Sequence, residues 1–157
     1  MRLIYQLALT AAIITTSAIS ASPGFCESPA PPLTASQMSE AANAVVPRIT
    51  PAQAKAMMGK GNVLLLDVRE VSEVEASGKI AGAVNVPSGT LESRADPESP
   101  AHDKNFARDR TRIIYCRSGR RSALAGKTLK DMGYTNVYNL GAFSDWVASG
   151  GAVEPGR

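Results

Sequence analysis

The segment Cys116-Arg117-Ser118-Gly119-Arg120-Arg121-Ser122 has the residue types and spacing to support covalent chemistry. Its cysteine directly follows the predicted strand Arg112-Ile113-Ile114-Tyr115 and leads through a glycine-containing loop into a helical pattern. Loop amides, a helix N-terminus and three arginines all favour a negative charge at that point, so the pKa of the thiol should be lowered. The pattern predicts that Cys116 is a nucleophilic thiolate. The alternative, an inert buried cysteine, fits the neighbouring arginines poorly.

The composition excludes several other chemistries. The 157 residues contain only two cysteines, Cys26 and Cys116, and one histidine, His102, which are too few for a structural zinc site or a disulfide framework. A serine hydrolase would need a G-x-S-x-G elbow, which the sequence lacks. The net charge of +3 favours small anionic partners, and no long basic run predicts nucleic-acid binding.

Residues 1–20 have the pattern of a secretory signal peptide, with Arg2 before an apolar run and small residues at Ala18 and Ser20. We predict cleavage before Ala21 and a periplasmic or secreted protein without a stable membrane anchor. An uncleaved anchor facing the periplasm is the alternative, although the run is shorter than the span of about 20 apolar residues that a membrane requires. Residues 21–34 are predicted to be a proline-rich linker, and residues 35–157 the folded domain.

Within residues 35–157, short apolar strands alternate with amphipathic helices, which predicts an α/β fold with a central parallel sheet flanked by helices. The predicted strands are Val63–Leu66, Ala83–Val86, Arg112–Tyr115 and Asn136–Tyr138, and the predicted helices are 36–45, one that begins at Thr50, and Ser122–Met132. Ligands of such sheets bind at the carboxyl ends of the strands. Both Cys116 and the segment Asp67-Val68-Arg69-Glu70 follow a predicted strand end.

The Cys116 segment resembles the active loop of rhodanese-type sulfurtransferases. Three further segments match that family in the expected order, so that the resemblance covers roughly residues 48–154: its Asp-x-Arg strand end (Leu65–Glu70), its Gly-His-Ile-x-Gly-Ala-x-Asn-x-Pro segment (Gly78–Pro87), and its closing strand and helix (Gly133–Gly141, Trp146 and Gly150-Gly151). The resemblance implies that residues 35–157 form a compact rhodanese-like domain of the exported, single-domain bacterial type.

The resemblance also implies a thiosulfate sulfurtransferase that uses a covalent persulfide on Cys116 and no metal or other cofactor. A small anionic donor such as thiosulfate would supply a sulfane sulfur, and cyanide, a thiol or a thiol-containing protein would accept it. The alternative function is a persulfide carrier that delivers sulfur to a protein partner without notable thiosulfate turnover.

Physical chemistry, taken together with the resemblance, suggests roles for individual residues. Backbone amides from Arg117 to Ser122 would hold the persulfide, and Arg121 would make a bidentate contact with the oxyanion. Asp67 and Arg69 would support the loop by pairing with each other or with loop residues. Related phosphatases have five residues between cysteine and arginine, whereas four separate Cys116 from Arg121 here, which argues against phosphatase activity.

Five other positions carry separate expectations. Lys79 stands where the family usually has histidine. His102 belongs to the segment 96–104, which forms either a wall of the active-site entrance or a plain surface loop. Trp146 is expected in the core, and Gly126 is expected to allow close packing on the sheet. Cys26 is either passive, a disulfide partner or resolving thiol for Cys116, or a link to another protein.

Overall fold

The computed structural model describes residues 31–156 of the chain. Its helices and strands alternate in the order α1 (Ala35–Val45), α2 (Pro51–Gly59), β1 (Val63–Asp67), α3 (Val71–Ser77), β2 (Lys79–Ile80), β3 (Val84–Asn85), α4 (Leu91–Ala95), β4 (Thr111–Cys116), α5 (Arg120–Asp131), β5 (Val137–Ala142), α6 (Phe143–Ala148) and β6 (Val153–Glu154). Short 3-10 turns cover Ser88–Thr90 and Lys104–Phe106. None of the helices among these residues is long and apolar enough to cross a membrane.

The predicted α/β fold with a central parallel sheet is confirmed. Strands β3, β1, β4 and β5 pair in that order, and all three pairings are parallel. The predicted bounds hold to within a few residues, with the largest difference in β5, which continues past Tyr138 to Ala142. That extension was missed because it contains Asn139 and Gly141, which the apolar pattern of a strand does not favour.

Side chains of the buried strands alternate between the two faces of the sheet. Leu64, Leu66, Ile114 and Cys116 belong to the apolar cluster that also contains residues of α4 and α5. Their neighbours pack into a second cluster on the opposite face, with Ala54 of α2 and Trp146 of α6. Trp146 is 3% exposed, which confirms its predicted place in the core. This alternation puts Cys116 on the same face as α5.

A two-stranded antiparallel pair, β2 with β6, lies outside the predicted parallel sheet. Each strand has only two residues, too few for a period of two to be visible in the sequence. Lys79 of β2 bonds to the carboxylate of Glu154 in β6 and donates to the Ala83 carbonyl oxygen at 2.6 Å. Lys79 therefore holds β6 in place near the end of the described residues.

The reason predicted for Gly126 in α5 is corrected by the structure. A Cβ at Gly126 would lie 2.7 Å from Cγ1 of Val46, directly after α1, whereas the nearest sheet atom, Cγ1 of Val137, is 3.5 Å away. The glycine is thus required mainly by the docking of α1 on α5 and not by the sheet. Val46 is fully buried and β-branched, so it has little room to move aside.

We predict that Gly126→Ala destabilises the protein by about 1 kcal/mol, because overpacking costs about 1–3 kcal/mol and helix propensity returns about 1 kcal/mol. In a Val46→Ala background the same change should be stabilising, since the space is then free. Urea denaturation of the four proteins measures both effects. The same sign in both backgrounds would contradict the assigned contact.

Candidate active site

The loop from Cys116 to Arg120 joins the carboxyl end of β4 to the N-terminus of α5. It turns at Gly119, which has a φ of +90° and precedes the first residue of the helix. A Cβ at Gly119 would lie 3.3 Å from the Cα of Gly141 in β5, in addition to the strain of the positive φ. Glycine at this position therefore allows the loop to fold tightly over the end of the sheet.

The Cys116 side chain is completely buried beneath this loop, and its thiol is not in a disulfide with any described residue. The Gly119 amide donates to Sγ at 3.1 Å, and the Ser122 hydroxyl lies 3.5 Å from it. Burial by itself raises the pKa of the thiol, but hydrogen bonds from the Ser122 hydroxyl and from the amides of Ser122, Ser118 and Gly119 outweigh it. The net effect lowers the pKa of Cys116 below its ordinary value, as a nucleophilic thiolate requires.

Arg121, predicted as the bidentate oxyanion ligand, makes its bidentate contact with a carboxylate of the protein. Its two terminal nitrogens donate to the Glu73 oxygens of α3 at 2.7 and 2.8 Å. This hydrogen bonding, opposed by partial burial, lowers the pKa of Glu73 to about 2. A contact between Arg121 and a substrate oxyanion stays a prediction and would require exchange of this partner.

The exposed arginines of the loop, Arg117 and Arg120, form no ion pair with a described residue. Arg117 lines two cavities. One, of about 280 Å³, is bordered by Arg69, Glu73, Ser77, Phe143 and Ser144. The other, of about 420 Å³, is bordered by Ala35, Ser118, Arg120, Arg121 and Leu124. The surface above Cys116 therefore carries two unpaired positive charges.

Asp67 and Arg69 pair with each other, which is one of the two arrangements predicted for them. The Arg69 guanidinium donates to the buried Asp67 carboxylate at 2.6 Å, and it also donates to the Ser77 hydroxyl at 2.8 Å and the Gly78 carbonyl at 2.7 Å. These bonds hold the end of α3 and do not run to the loop. Support of the loop is therefore indirect, through α3, which carries Glu73.

Two residues of this site were not identified from the sequence. Asn139 of β5 accepts from the Ser122 hydroxyl at 2.8 Å, and Glu73 holds Arg121. Only the position of Asn139 within a matched family segment could have drawn attention to it. Residues 96–104 line neither cavity beside the loop. Cys26 and the predicted signal peptide lie outside the described residues.

Residues 50–149 match the rhodanese-like domain family. The human thiosulfate:glutathione sulfurtransferase is 28% identical over 108 residues, which cover 64% of this chain and 93% of that protein. The thiosulfate sulfurtransferase PspE of Escherichia coli strain K12 is 38% identical over 80 residues, which cover 51% of this chain and 70% of that protein.

A solved structure from Rhodopseudomonas palustris superposes with a TM-score of 0.72 and 36% identity, covering 80% of this chain and all of that one. It is described as a protein of unknown function and a possible tyrosine phosphatase. The structure from Rhodopseudomonas palustris matches a larger share of this chain than the family domain does. The likeness is therefore not confined to residues 50–149.

We predict that Ser122→Ala raises the pKa of Cys116 by about one unit, because the thiolate loses a charge-assisted hydrogen bond. The rate of iodoacetamide alkylation of the Cys116 peptide, followed against pH by mass spectrometry, gives this pKa. Ser118→Ala is the matched control, since its side chain is exposed and its amide stays in place. Identical titration curves for Ser122→Ala and the wild type would contradict the assigned hydrogen bond.

Proposed function

Because the chain belongs to the rhodanese-like domain family and its relatives include sulfurtransferases, we propose that it moves a sulfane sulfur from thiosulfate, through a Cys116 persulfide, to cyanide or a thiol. The observation that carries the proposal is the buried Cys116 sulfur, which accepts hydrogen bonds from Gly119 and Ser122 and has a lowered pKa. Its relatives named for thiosulfate and glutathione support the choice of donor and of a thiol acceptor.

The first half-reaction is a displacement at sulfur. The Cys116 thiolate attacks the sulfane sulfur of thiosulfate, a new S–S bond forms, and the S–S bond of thiosulfate breaks to release sulfite with the electron pair. Both the donor and the leaving group are anions, which the unpaired Arg117 and Arg120 attract. Cys116 has no exposed surface. We therefore expect the exposed Arg117 side chain, which lines both cavities, to move when the donor enters.

The second half-reaction regenerates the thiolate. A cyanide or thiolate acceptor attacks the terminal sulfur of the persulfide, and Cys116 leaves as an anion. The donors that lower the pKa of Cys116 also stabilise it as a leaving group, so the same hydrogen bonds serve both steps. The cycle consumes no oxidant or reductant, and the thiolate needs no separate general base.

Hydrolysis of phosphate esters is less compatible with this loop. A phosphoryl group has three oxygens to bind, but Ser122 stands where the related phosphatases have arginine, and Arg121 is held by Glu73. Because the Cys116 sulfur is buried, the site suits transfer of a single sulfur atom better than transfer of a phosphoryl group. Turnover of p-nitrophenyl phosphate should therefore be absent.

The test is thiocyanate formation from thiosulfate and cyanide, together with mass spectrometry of the thiosulfate-treated protein. We expect the Cys116 peptide to gain the mass of one sulfur atom and Cys116→Ser to lose about a thousandfold in rate or more. Cys26→Ser is the matched control and should retain activity.

Two results would contradict the proposal. Undiminished thiocyanate formation by Cys116→Ser would show that another group carries the reaction. Absence of added sulfur on Cys116 would exclude both the sulfurtransferase and the persulfide carrier. Formation of the persulfide without turnover would favour the persulfide carrier over the enzyme.

We also propose that the protein is exported, on the pattern of residues 1–20. Expressed in a Gram-negative bacterium, it should appear in the osmotic-shock fraction with Ala21 as its N-terminal residue. Replacement of Ala18 and Ser20 by leucine should block cleavage, since the peptidase reads small residues there. Recovery of the wild-type protein in the membrane fraction with Met1 or Arg2 still present would support the uncleaved anchor instead.

A further inference from the structure

Asn139 forms hydrogen bonds with Ser122 and Gly119, two of the residues that donate to the Cys116 sulfur, but it does not contact the sulfur itself. Its side-chain oxygen accepts from the Ser122 hydroxyl at 2.8 Å, and its side-chain nitrogen donates to the Gly119 carbonyl oxygen at 3.3 Å. Ser122 is the side-chain donor to Sγ, and Gly119 supplies the backbone donor. Displacement of Asn139 would therefore disturb both donors together.

The orientation of the Asn139 amide is fixed by four hydrogen bonds, which is the full capacity of an asparagine side chain. Besides Ser122 and Gly119, its oxygen accepts from the Gly141 amide at 2.9 Å and its nitrogen donates to the Asn43 side-chain oxygen at 2.9 Å. Asn139 is fully buried, so a rotated amide would leave polar groups unsatisfied without access to water.

A β-bulge in β5 sets the position of Asn139 relative to the loop. Ile114 of β4 pairs with Asn139, but the next residue, Tyr115, pairs with Gly141, so Leu140 is the extra residue. Gly141 has a φ of +96°, and its amide turns back onto the Asn139 side chain. Bulges of this kind redirect side chains beside functional sites.

The N-terminal part of the described chain holds Asn139 from the other side. Asn43 lies on α1, and the backbone of Asn139 bonds to the Pro47 carbonyl at 2.9 Å and to the Ile49 amide at 3.0 Å. All three partners precede residue 50, where the match to the rhodanese-like domain family begins. The hydrogen bonds around the Cys116 sulfur are thus connected, through Asn139, to a segment that precedes the matched domain.

We infer that Asn139 is the positioning residue of the Cys116 sulfur, and that helix α1 acts on the same sulfur through the Asn43–Asn139 hydrogen bond. The Ser122 hydroxyl has a single proton, for which the Asn139 oxygen at 2.8 Å and the Gly119 carbonyl oxygen at 3.1 Å compete with the sulfur while Cys116 is a neutral thiol. When Cys116 ionises, the charged sulfur is the stronger acceptor and the hydroxyl turns to it. Asn139 is neutral, so it releases the Ser122 proton to the thiolate more readily than a carboxylate would. Its side-chain nitrogen stays bonded to the Gly119 carbonyl oxygen, which keeps the loop in place during this change.

The inference rests on Cys116 being the nucleophile of the proposed function, but its test does not depend on turnover. Alkylation of the Cys116 peptide by iodoacetamide, measured against pH, reports the thiolate directly. Absence of thiocyanate formation would therefore contradict the proposed function and leave this experiment interpretable.

We expect Asn139→Ala to raise the pKa of Cys116 by about one unit. Asn43 is partly exposed and is only one neutral partner of Asn139, so Asn43→Ala should raise this pKa by about half a unit. The double variant should match Asn139→Ala alone, because Asn43 acts through Asn139. An unchanged pKa in Asn43→Ala, or a double variant whose shift is the sum of the two, would overturn the role of α1.

Val46→Ala is the matched control for a general loosening of α1. It removes the packing of Val46 on Gly126 but retains Asn43 and its hydrogen bond, so the thermal midpoint should fall while the pKa of Cys116 stays at the wild-type value. A rise in the Val46→Ala pKa equal to that of Asn43→Ala would show that loss of packing suffices. That result would refute the hydrogen-bonded connection even if Asn139→Ala did not fold.

Discussion

The central constraint on this structure is the burial of the Cys116 sulfur, whose charged form needs hydrogen-bond donors in place of water. Cys116 has no exposed surface, and burial alone raises the pKa of its thiol. The protein compensates with donors from the loop backbone and from Ser122, at the start of α5. The tight turn at Gly119, the close approach of β5 and the position of α5 can all be understood as conditions for placing those donors.

The arrangement of charge follows from the same constraint. The two ion pairs nearest the site, Asp67 with Arg69 and Glu73 with Arg121, neutralise carboxylates that would otherwise oppose a thiolate. Arg117 and Arg120 lie outside such pairs, so the surface above the sulfur has a positive excess. This distribution suits a reaction in which the donor, the leaving group and the nucleophile are all anionic.

Much of the fold was predictable because it depends on local patterns. The apolar runs of β1 and β4 are buried on both faces, and this makes the parallel sheet visible in the sequence. The loop at Cys116 was recognisable because its residue types and spacing are themselves the requirement for an anion at a helix N-terminus. The pair β2 and β6 was missed because two residues are too few to show a period. The end of β5 was missed because Asn139 and Gly141 interrupt its apolar pattern, and a bulge lies there.

The sequence by itself determined the alternation of strands and helices, the place of Cys116 at the end of a strand, and the positive character of its loop. Only the tertiary structure decided the partners of those residues. Arg121 faces Glu73, 48 residues earlier in the chain, and Asn139 faces Asn43, 96 residues earlier. Such contacts depend on how helices and the segments beside them pack in three dimensions, and the packing of Val46 on Gly126 is another example. No local propensity predicts them. A short segment was therefore enough to propose the chemistry, whereas the hydrogen bonds around Cys116 involve residues from distant parts of the chain.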